Sequence, residues 1–195
     1  MHKVKAIKGD NAIKECEREG ASLYLNFIAL EPDDNEGIKD MSRMATEIVR
    51  EHFDPIIGTK QNDYMLEMFQ TESAIKNQLD KGYNYYFVKA DKKVVGFTAF
   101  YPRKDVMYLS KFYLYKDERG KGYASKMLEF IKDETKAANL EGIELNVNRE
   151  NEVCHIYEHM GFKIIREEKN DIGSGFYMDD YVYRLDKSEF ARIIY

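Results

Sequence analysis

The segment Tyr113-Leu114-Tyr115-Lys116-Asp117-Glu118-Arg119-Gly120-Lys121-Gly122-Tyr123-Ala124-Ser125 carries the residue types best suited to gripping an anion. It leaves a stretch of strand character and enters a helical pattern. Glycine lets backbone approach a ligand closely, and successive N–H groups at a helix start, aided by the helix dipole, bind phosphate oxygens. Arg119 and Lys121 add positive charge to the same turn. Two common phosphate loops do not fit. Ser125 stands where Gly-x-Gly-x-x-Gly needs its third glycine, and no Gly-x-x-x-x-Gly-Lys-Ser/Thr run occurs. A tight strand-to-helix turn without a ligand is the plain alternative.

Other reactive side chains are less persuasive. His155 and His159 stand at i and i+4, but Ile156 breaks the His-Glu-x-x-His zinc pattern and no third ligand is apparent, so solvent-facing histidines fit better and no metal is expected. Cys154 beside His155 suggests a nucleophile, yet adjacent helical residues point in different directions, and a small buried thiol is commoner. Cys16 and Cys154 form no Cys-x-x-Cys pair and read as reduced thiols.

The elements around these residues follow from periodicity. Leu23, Tyr24, Leu25, Phe27, Ile28 and Leu30 form a nearly continuous apolar run, predicting a first core strand buried on both faces. The acidic turn Glu31-Pro32-Asp33-Asp34-Asn35-Glu36 offers caps to the next helix, whose stripe Ile38, Met41, Met44, Ala45, Ile48 and Val49 is expected to end at Asp54-Pro55. A second helix is expected from Tyr64 through Leu79. Residues 83–90, 94–100 and 106–114, rich in Tyr, Phe and Val, predict an antiparallel meander. After the glycine turn, Met127, Leu128, Ile131, Thr135 and Ala138 line a helix that can place its flanking strands 106–114 and 143–147 in parallel. A short helix with Val153, Ile156, Tyr157 and Met160 stops at Gly161, and strands 162–166 and 178–185 close the order. The fold class is α+β: one domain over residues 21–195, a central mixed β-sheet flanked by helices, preceded by a charged extension at residues 1–20.

Composition bounds the function. The chain has 195 residues, 44% hydrophobic and 33% charged, with 3 Pro and 12 Gly, as expected of one compact domain. Thirty Lys and Arg against 35 Asp and Glu leave a formal charge of −5, against a nucleic-acid partner and in keeping with a small cationic one. No run near the amino end approaches the roughly 20 apolar residues of a membrane span. No secretory pattern follows Met1, so the cytoplasm is the expected location.

The segment around Arg119 resembles the GNAT family of acyl-CoA-dependent N-acetyltransferases. The family's Arg/Gln-x-x-Gly-x-Gly/Ala signature is met by Arg119, Gly122 and Ala124, between an apolar strand and an amphipathic helix. Downstream, Leu145-Asn146-Val147-Asn148-Arg149-Glu150-Asn151 and Ile156-Tyr157-Glu158-His159-Met160-Gly161-Phe162 are similar to its strand, Asn, helix and Tyr-x-x-x-Gly-Phe order. The resemblance implies acetyl-CoA as cosubstrate. Backbone groups of Phe112, Tyr113 and Leu114 would pair with the pantetheine arm, and the turn Arg119, Gly120, Lys121, Gly122, Tyr123, Ala124 and Ser125 would hold the pyrophosphate. Asn151 would bond the pantetheine side, and Tyr157 would sit near the thioester sulfur. A phenol of pKa about 10 can protonate a departing thiolate of pKa about 8.5; core packing is the alternative for Tyr157.

Direct transfer from thioester to amine is expected, with a backbone N–H near Tyr113 or Leu114 as oxyanion donor. The base is not legible: the strand to Leu114 carries no carboxylate after Asp105, leaving Glu144, Asp179, Asp180 or solvent. The tail through Asp179-Asp180-Tyr181 is similar to polyamine-acetylating bacterial members, so a polyamine is the favoured small primary amine. Asp179 and Asp180, and with less support Glu31, Asp33, Asp34 and Glu36, are acceptor-side candidates. Alternatives are a protein amino group or an antibiotic as acceptor, or a non-catalytic acyl-CoA-binding module. Phe190, Ile193, Ile194 and Tyr195, with the extension, are candidates for a homodimer contact.

Overall fold

The computed structural model describes residues 24–191; the extension, Cys16 and residues 193–195 of the expected dimer contact lie outside that range. The first expected strand and helix are β1 (Leu25–Ala29) and α1 (Asn35–Ile57), with the acidic turn between them. The Asp34 carboxylate accepts from the Gly37 N–H at 2.9 Å and caps α1, and Ile38, Met41, Met44, Ala45, Ile48 and Val49 are buried as one stripe. The helix runs through Pro55 to Ile57 instead of stopping at Asp54. A proline this near the end removes one N–H from the last turn, and the stop is made by Gly58 at φ 79°, a conformation glycine adopts without cost. The long second helix is two helices, α2 (Thr59–Phe69) and α3 (Glu72–Asp80), because the Thr71 hydroxyl accepts from Ala74 N–H at 3.2 Å and starts a new helix.

The meander is β2 (Asn84–Ala90), β3 (Lys93–Arg103) and β4 (Val106–Leu114), followed by α4 (Tyr123–Ala137), β5 (Gly142–Asn148), α5 (Cys154–His159), β6 (Lys163–Gly173) and β7 (Phe176–Asp186). The seven-stranded sheet has the order β1-β2-β3-β4-β5-β7-β6, antiparallel except for β4 and β5. Helices α1 and α3 cover one face through Met41, Ile48, Ile75, Phe97 and Tyr85. Helix α4 covers the other through Leu128 and Ile131, against Leu145, Tyr183 and Phe162. Ala138 is an exposed C-cap and not part of that stripe. Strand β1 corrects the expectation of a strand buried on both faces: it is the outermost strand, and Ile28 remains exposed while Phe27 stacks on Phe130 at 4.0 Å. An apolar run reports burial somewhere, not a central place in the sheet. Strand β6 extends seven residues beyond Arg166 through mostly exposed polar positions, held by its ladder to β7.

Two irregularities shape the middle of the sheet. Strands β4 and β5 pair only from Val106↔Gly142 to Tyr108↔Glu144 and then part. Ala99 faces Lys111 while Phe100 faces Leu109, so Ser110 is an extra residue in β4. Such a bulge reverses the alternation of side chains beyond it. Tyr108, Lys111 and Tyr113 therefore share a face, whereas Leu109 and Phe112 pack towards α4. At the far end Gly96 lets β3 approach β4: a Cβ there would lie 2.1 Å from the Tyr113 carbonyl oxygen. Backbone cannot yield as a side-chain tip can. Gly96→Ala is expected to lower the unfolding free energy by about 1–3 kcal/mol, measured by urea titration; an unchanged midpoint would show that β4 has slack at Tyr113.

Candidate active site

The glycine turn folds as its composition requires. Gly120 and Gly122 take φ of 75° and 80°, and Gly122 is the left-handed N-cap of α4. The first bond closing the helix runs from Lys126 N–H to the Gly122 carbonyl at 3.4 Å. The amides of Tyr123, Ala124 and Ser125 thus have no carbonyl partner within the helix, and no side chain caps them. Under the turn lies Glu118, 4% exposed, whose carboxylate accepts from Lys93 and, at 2.9 Å, from Lys121. These two bonds hold its pKa below the usual carboxylate value. Lys121 is therefore committed to bracing the turn, and Arg119 is the exposed cation left beside the amides.

Arg119 also connects the turn to β4, its Nε donating to the Leu114 carbonyl at 3.3 Å. The ladder fixes which other groups of β4 are open. Tyr115 N–H donates to Val95 on β3, and alternate residues of an antiparallel strand point the same way, so Tyr113 N–H also turns towards β3. Phe112 and Leu114 turn their amides to the edge that parts from β5, which no strand pairs among the described residues. Of the two expected oxyanion donors, this leaves Leu114, while Tyr113 contributes its side chain.

Across the parting stands Tyr157 on α5, its ring 6.3 Å from Phe112 and 6.1 Å from Tyr183. Burial, with smaller effects of Tyr113 and Cys154, raises its pKa and keeps the phenol protonated. Asn151, 5% exposed, accepts on Oδ1 from Val153 N–H at 3.2 Å and lies 3.2 Å from His52 Nε2. Burial and then Arg119 lower the pKa of His52. Cys154 is half-buried with Sγ 3.8 Å from the Asn148 carbonyl, and His155 and His159 are exposed.

A chamber of about 470 Å³ opens beside the parting, walled by α1, α2 and α3 on one side and β3, β4, β5 and β7 on the other. Phe53, Ile57, Met65 and Leu66 make an apolar wall; Tyr108, Lys111, Tyr113 and Asp180 face it from the sheet. Asp180 is 3% exposed, with Asn146 Nδ2 donating to it at 3.4 Å. Burial raises its pKa to about 6, opposed by that bond and reinforced by Glu168 and Asp179. Asn146 in turn accepts from the Tyr108 hydroxyl at 3.1 Å. Burial raises Tyr113 to about 12 and lowers Lys111 to about 8. The other expected carboxylates are committed elsewhere. Glu144 is held by Arg103, Arg184 and Arg166 at 2.9, 3.3 and 3.7 Å, and Asp179 pairs with Arg149 at 3.4 Å. Glu31, Asp33, Asp34 and Glu36 are exposed and do not line the chamber.

Comparison with known proteins matches residues 53–178 to the acetyltransferase (GNAT) domain. The chain belongs to the GNAT acetyltransferase family. No curated protein sequence matches it. Among solved structures, the PaiA N-acetyltransferase of Thermoplasma acidophilum in complex with coenzyme A is similar at TM-score 0.67 and 16% identity, over 84% of this chain and 99% of that one. The spermidine N-acetyltransferase of Vibrio cholerae in complex with CoA and spermine gives 0.58 and 20%, over 85% and 97%. The ribosomal-protein-S18-alanine N-acetyltransferase of Escherichia coli gives 0.58 and 17%, over 84% and 94%.

Phe112, Leu114, Arg119, the α4 amides and Tyr157 are thus gathered around one parting of strands. Lys111, Tyr108, Asn146 and His52 were not singled out as site residues, because their proximity depends on the bulge and on helix packing. Keeping Asp180 ionised at neutral pH costs about 3 kcal/mol relative to its ordinary value, at 1.36 kcal/mol per unit. Its folded pKa is raised, so the native protein binds the proton more tightly and loses stability as pH rises from about 4 to 6. Asp180→Asn should therefore be more stable than the parent by about 2–3 kcal/mol at pH 8 and lose that advantage by pH 4. Paired denaturant titrations at the two pH values test this, and an advantage that ignores pH would remove the burial argument.

Proposed function

We propose that this GNAT protein transfers the acetyl group of acetyl-CoA directly to a primary amine of a small molecule held in the chamber. The observation that carries the reading is the parting of β4 from β5, with an anion-binding helix start at one end and a desolvated carboxylate and phenol beside it. Acetyl-CoA supplies an acyl group activated as a thioester. The open amides of Phe112 and Leu114 receive an extended arm as an added strand would be received. Arg119 and the amides of Gly120, Gly122, Tyr123, Ala124 and Ser125 receive a pyrophosphate. Lys121 acts by holding Glu118 and thereby the turn. Asn151, its Oδ1 bonded internally, offers the same arm its Nδ2 as a donor.

Proton traffic follows from the pKa directions. Asp180, ionised above about pH 6, takes a proton from the incoming ammonium, freeing the nitrogen lone pair to form the N–C bond. As the C–S bond breaks, Tyr157 gives its phenolic proton to the thiolate, and the second proton, lost by the nitrogen as the amide forms, passes to solvent, from which the phenol is reprotonated. Leu114 N–H supplies the donor for charge developing on the carbonyl oxygen. Cys154, bonded towards Asn148, is not needed as a nucleophile.

A polyamine acceptor is the second reading. The rings of Tyr83 and Tyr101 at the chamber favour it, since aromatic faces attract ammonium groups.

Thiol release from acetyl-CoA across a panel of amines tests the activity; CoA binding with no turnover on any amine would leave only a binding module. Tyr157→Phe is expected to lower kcat about 10–100-fold with CoA affinity retained; unchanged turnover would remove the phenol from the reaction. The pH profile of kcat/KM should fall tenfold per unit below about pH 6, a limb that Asp180→Asn abolishes together with about 100-fold of activity at pH 7.5.

A further inference from the structure

The proposed proton transfer leaves Lys111 in the chamber unexplained. It is 8% exposed, and its Nζ has no ion-pair or hydrogen-bond partner among the described residues. Its nearest assigned contact is the Phe69 ring, 5.5 Å from the ammonium. A cation so placed is costly to retain without a counter-ion. The nearby charges do not supply one. Of the charged residues around the chamber, Lys81, Arg103 and Lys111 are cationic and Asp180 alone is anionic. Arg103 is already satisfied, stacked 4.0 Å over Tyr108 and bonded to Glu144 at 2.9 Å. Lys81 is exposed at the rim.

The bulge at Ser110 is what turns Lys111 to this face, two residues before Tyr113. The chamber therefore carries on its sheet side a carboxylate from β7 and an unpaired ammonium from β4, with the apolar side chains of α1 and α2 forming the opposite wall. We infer that the acceptor is an amino carboxylate, whose carboxylate pairs with Lys111 while its amine meets Asp180 and its apolar body lies along Phe53, Ile57 and Met65. A carboxylate fits better than a phosphate, because Lys111 is the one buried ammonium on the lining: Arg103 is bonded to Glu144 and Lys81 stands at the exposed rim. This rests on the proposed acetyl transfer and names the substrate class of that same chamber.

The test uses matched pairs: phenylalanine against phenethylamine and 6-aminohexanoate against hexylamine, with spermidine as a third arm, each assayed by thiol release from acetyl-CoA. The full chain is expected to favour at least one amino carboxylate over its decarboxylated partner by about tenfold or more in kcat/KM, carried by KM. Lys111→Met, of similar length, should collapse that ratio to near one, and Lys111→Arg should restore part of it. CoA affinity, measured separately, reports that each variant is folded. Preference for the decarboxylated amines or for spermidine overturns the inference while leaving acetyl transfer standing, as does a carboxylate preference that survives in Lys111→Met. If no amine in any arm is turned over, thermal shift with CoA present decides: stabilisation by the amino carboxylates but not their partners, lost in Lys111→Met, keeps an amino carboxylate as the chamber's ligand and removes the acetyl transfer. Equal or absent shifts overturn both.

Discussion

The parting of β4 from β5 after three paired residues is the constraint on which the rest of the structure depends. A sheet interior normally pairs its backbone groups, because a buried amide left without a partner costs about 1–3 kcal/mol. Here the closed end is pinned. Glu144, at the last pair, is gripped by three guanidiniums from β3, β6 and β7, and Gly142, at the first, lies where a Cβ would meet the Leu185 carbonyl at 2.7 Å. Beyond that point the two strands follow different neighbours, β4 staying with β3 and β5 with β7. The open amides of β4 are thereby created by the same register that stabilises the sheet. The ligand-binding edge is a product of the topology and not an appended loop.

The same opening accounts for the unusual protonation of the site. One physical cause, removal from water, acts on four groups with opposite consequences: it raises Asp180, Tyr113 and Tyr157 and lowers Lys111. A carboxylate moved towards neutrality becomes a better proton acceptor, and a phenol held protonated is a donor in reserve. At the mouth the arrangement differs. Glu118 is buried but doubly bonded by lysines, so its charge is kept. That pair of bonds fixes the glycine turn before a ligand arrives, and the Arg119 bond to Leu114 fixes the turn relative to the strand edge. A preset geometry of this kind lowers the ordering entropy that binding must overcome.

How much of this was legible in the residues depends on the range of the signal. The meander, the glycine turn and α4 were readable because period, turn chemistry and amphipathic stripe are all local. The break at Thr71 was missed because Phe69, Ile75 and Leu79 keep a helical spacing across it, and one hydroxyl cap decided the outcome. Asp179 and Asp180 are indistinguishable as neighbours in the chain; the register Asn148↔Asp180 on β5 decides which one turns inward. The His52 and Asn151 contact joins residues 99 positions apart, and nothing in either local sequence announces it.

Lys111 shows why overall charge misleads about a pocket. The excess of 35 acidic over 30 basic residues argues for a cationic partner at long range. Long-range charge is screened within about 8–10 Å of water at ordinary ionic strength, whereas a desolvated group is screened far less. Inside the chamber the sign is reversed: one buried ammonium lacks a counter-ion, and Asp180 is the one carboxylate on a lining that also carries Lys81 and Arg103. A lysine between Ser110 and Phe112 reads as a solvated strand residue until the bulge and α2 are in place over it. The local field that an acceptor meets is consequently set by register, in particular by one extra residue in β4, and not by the composition of the chain.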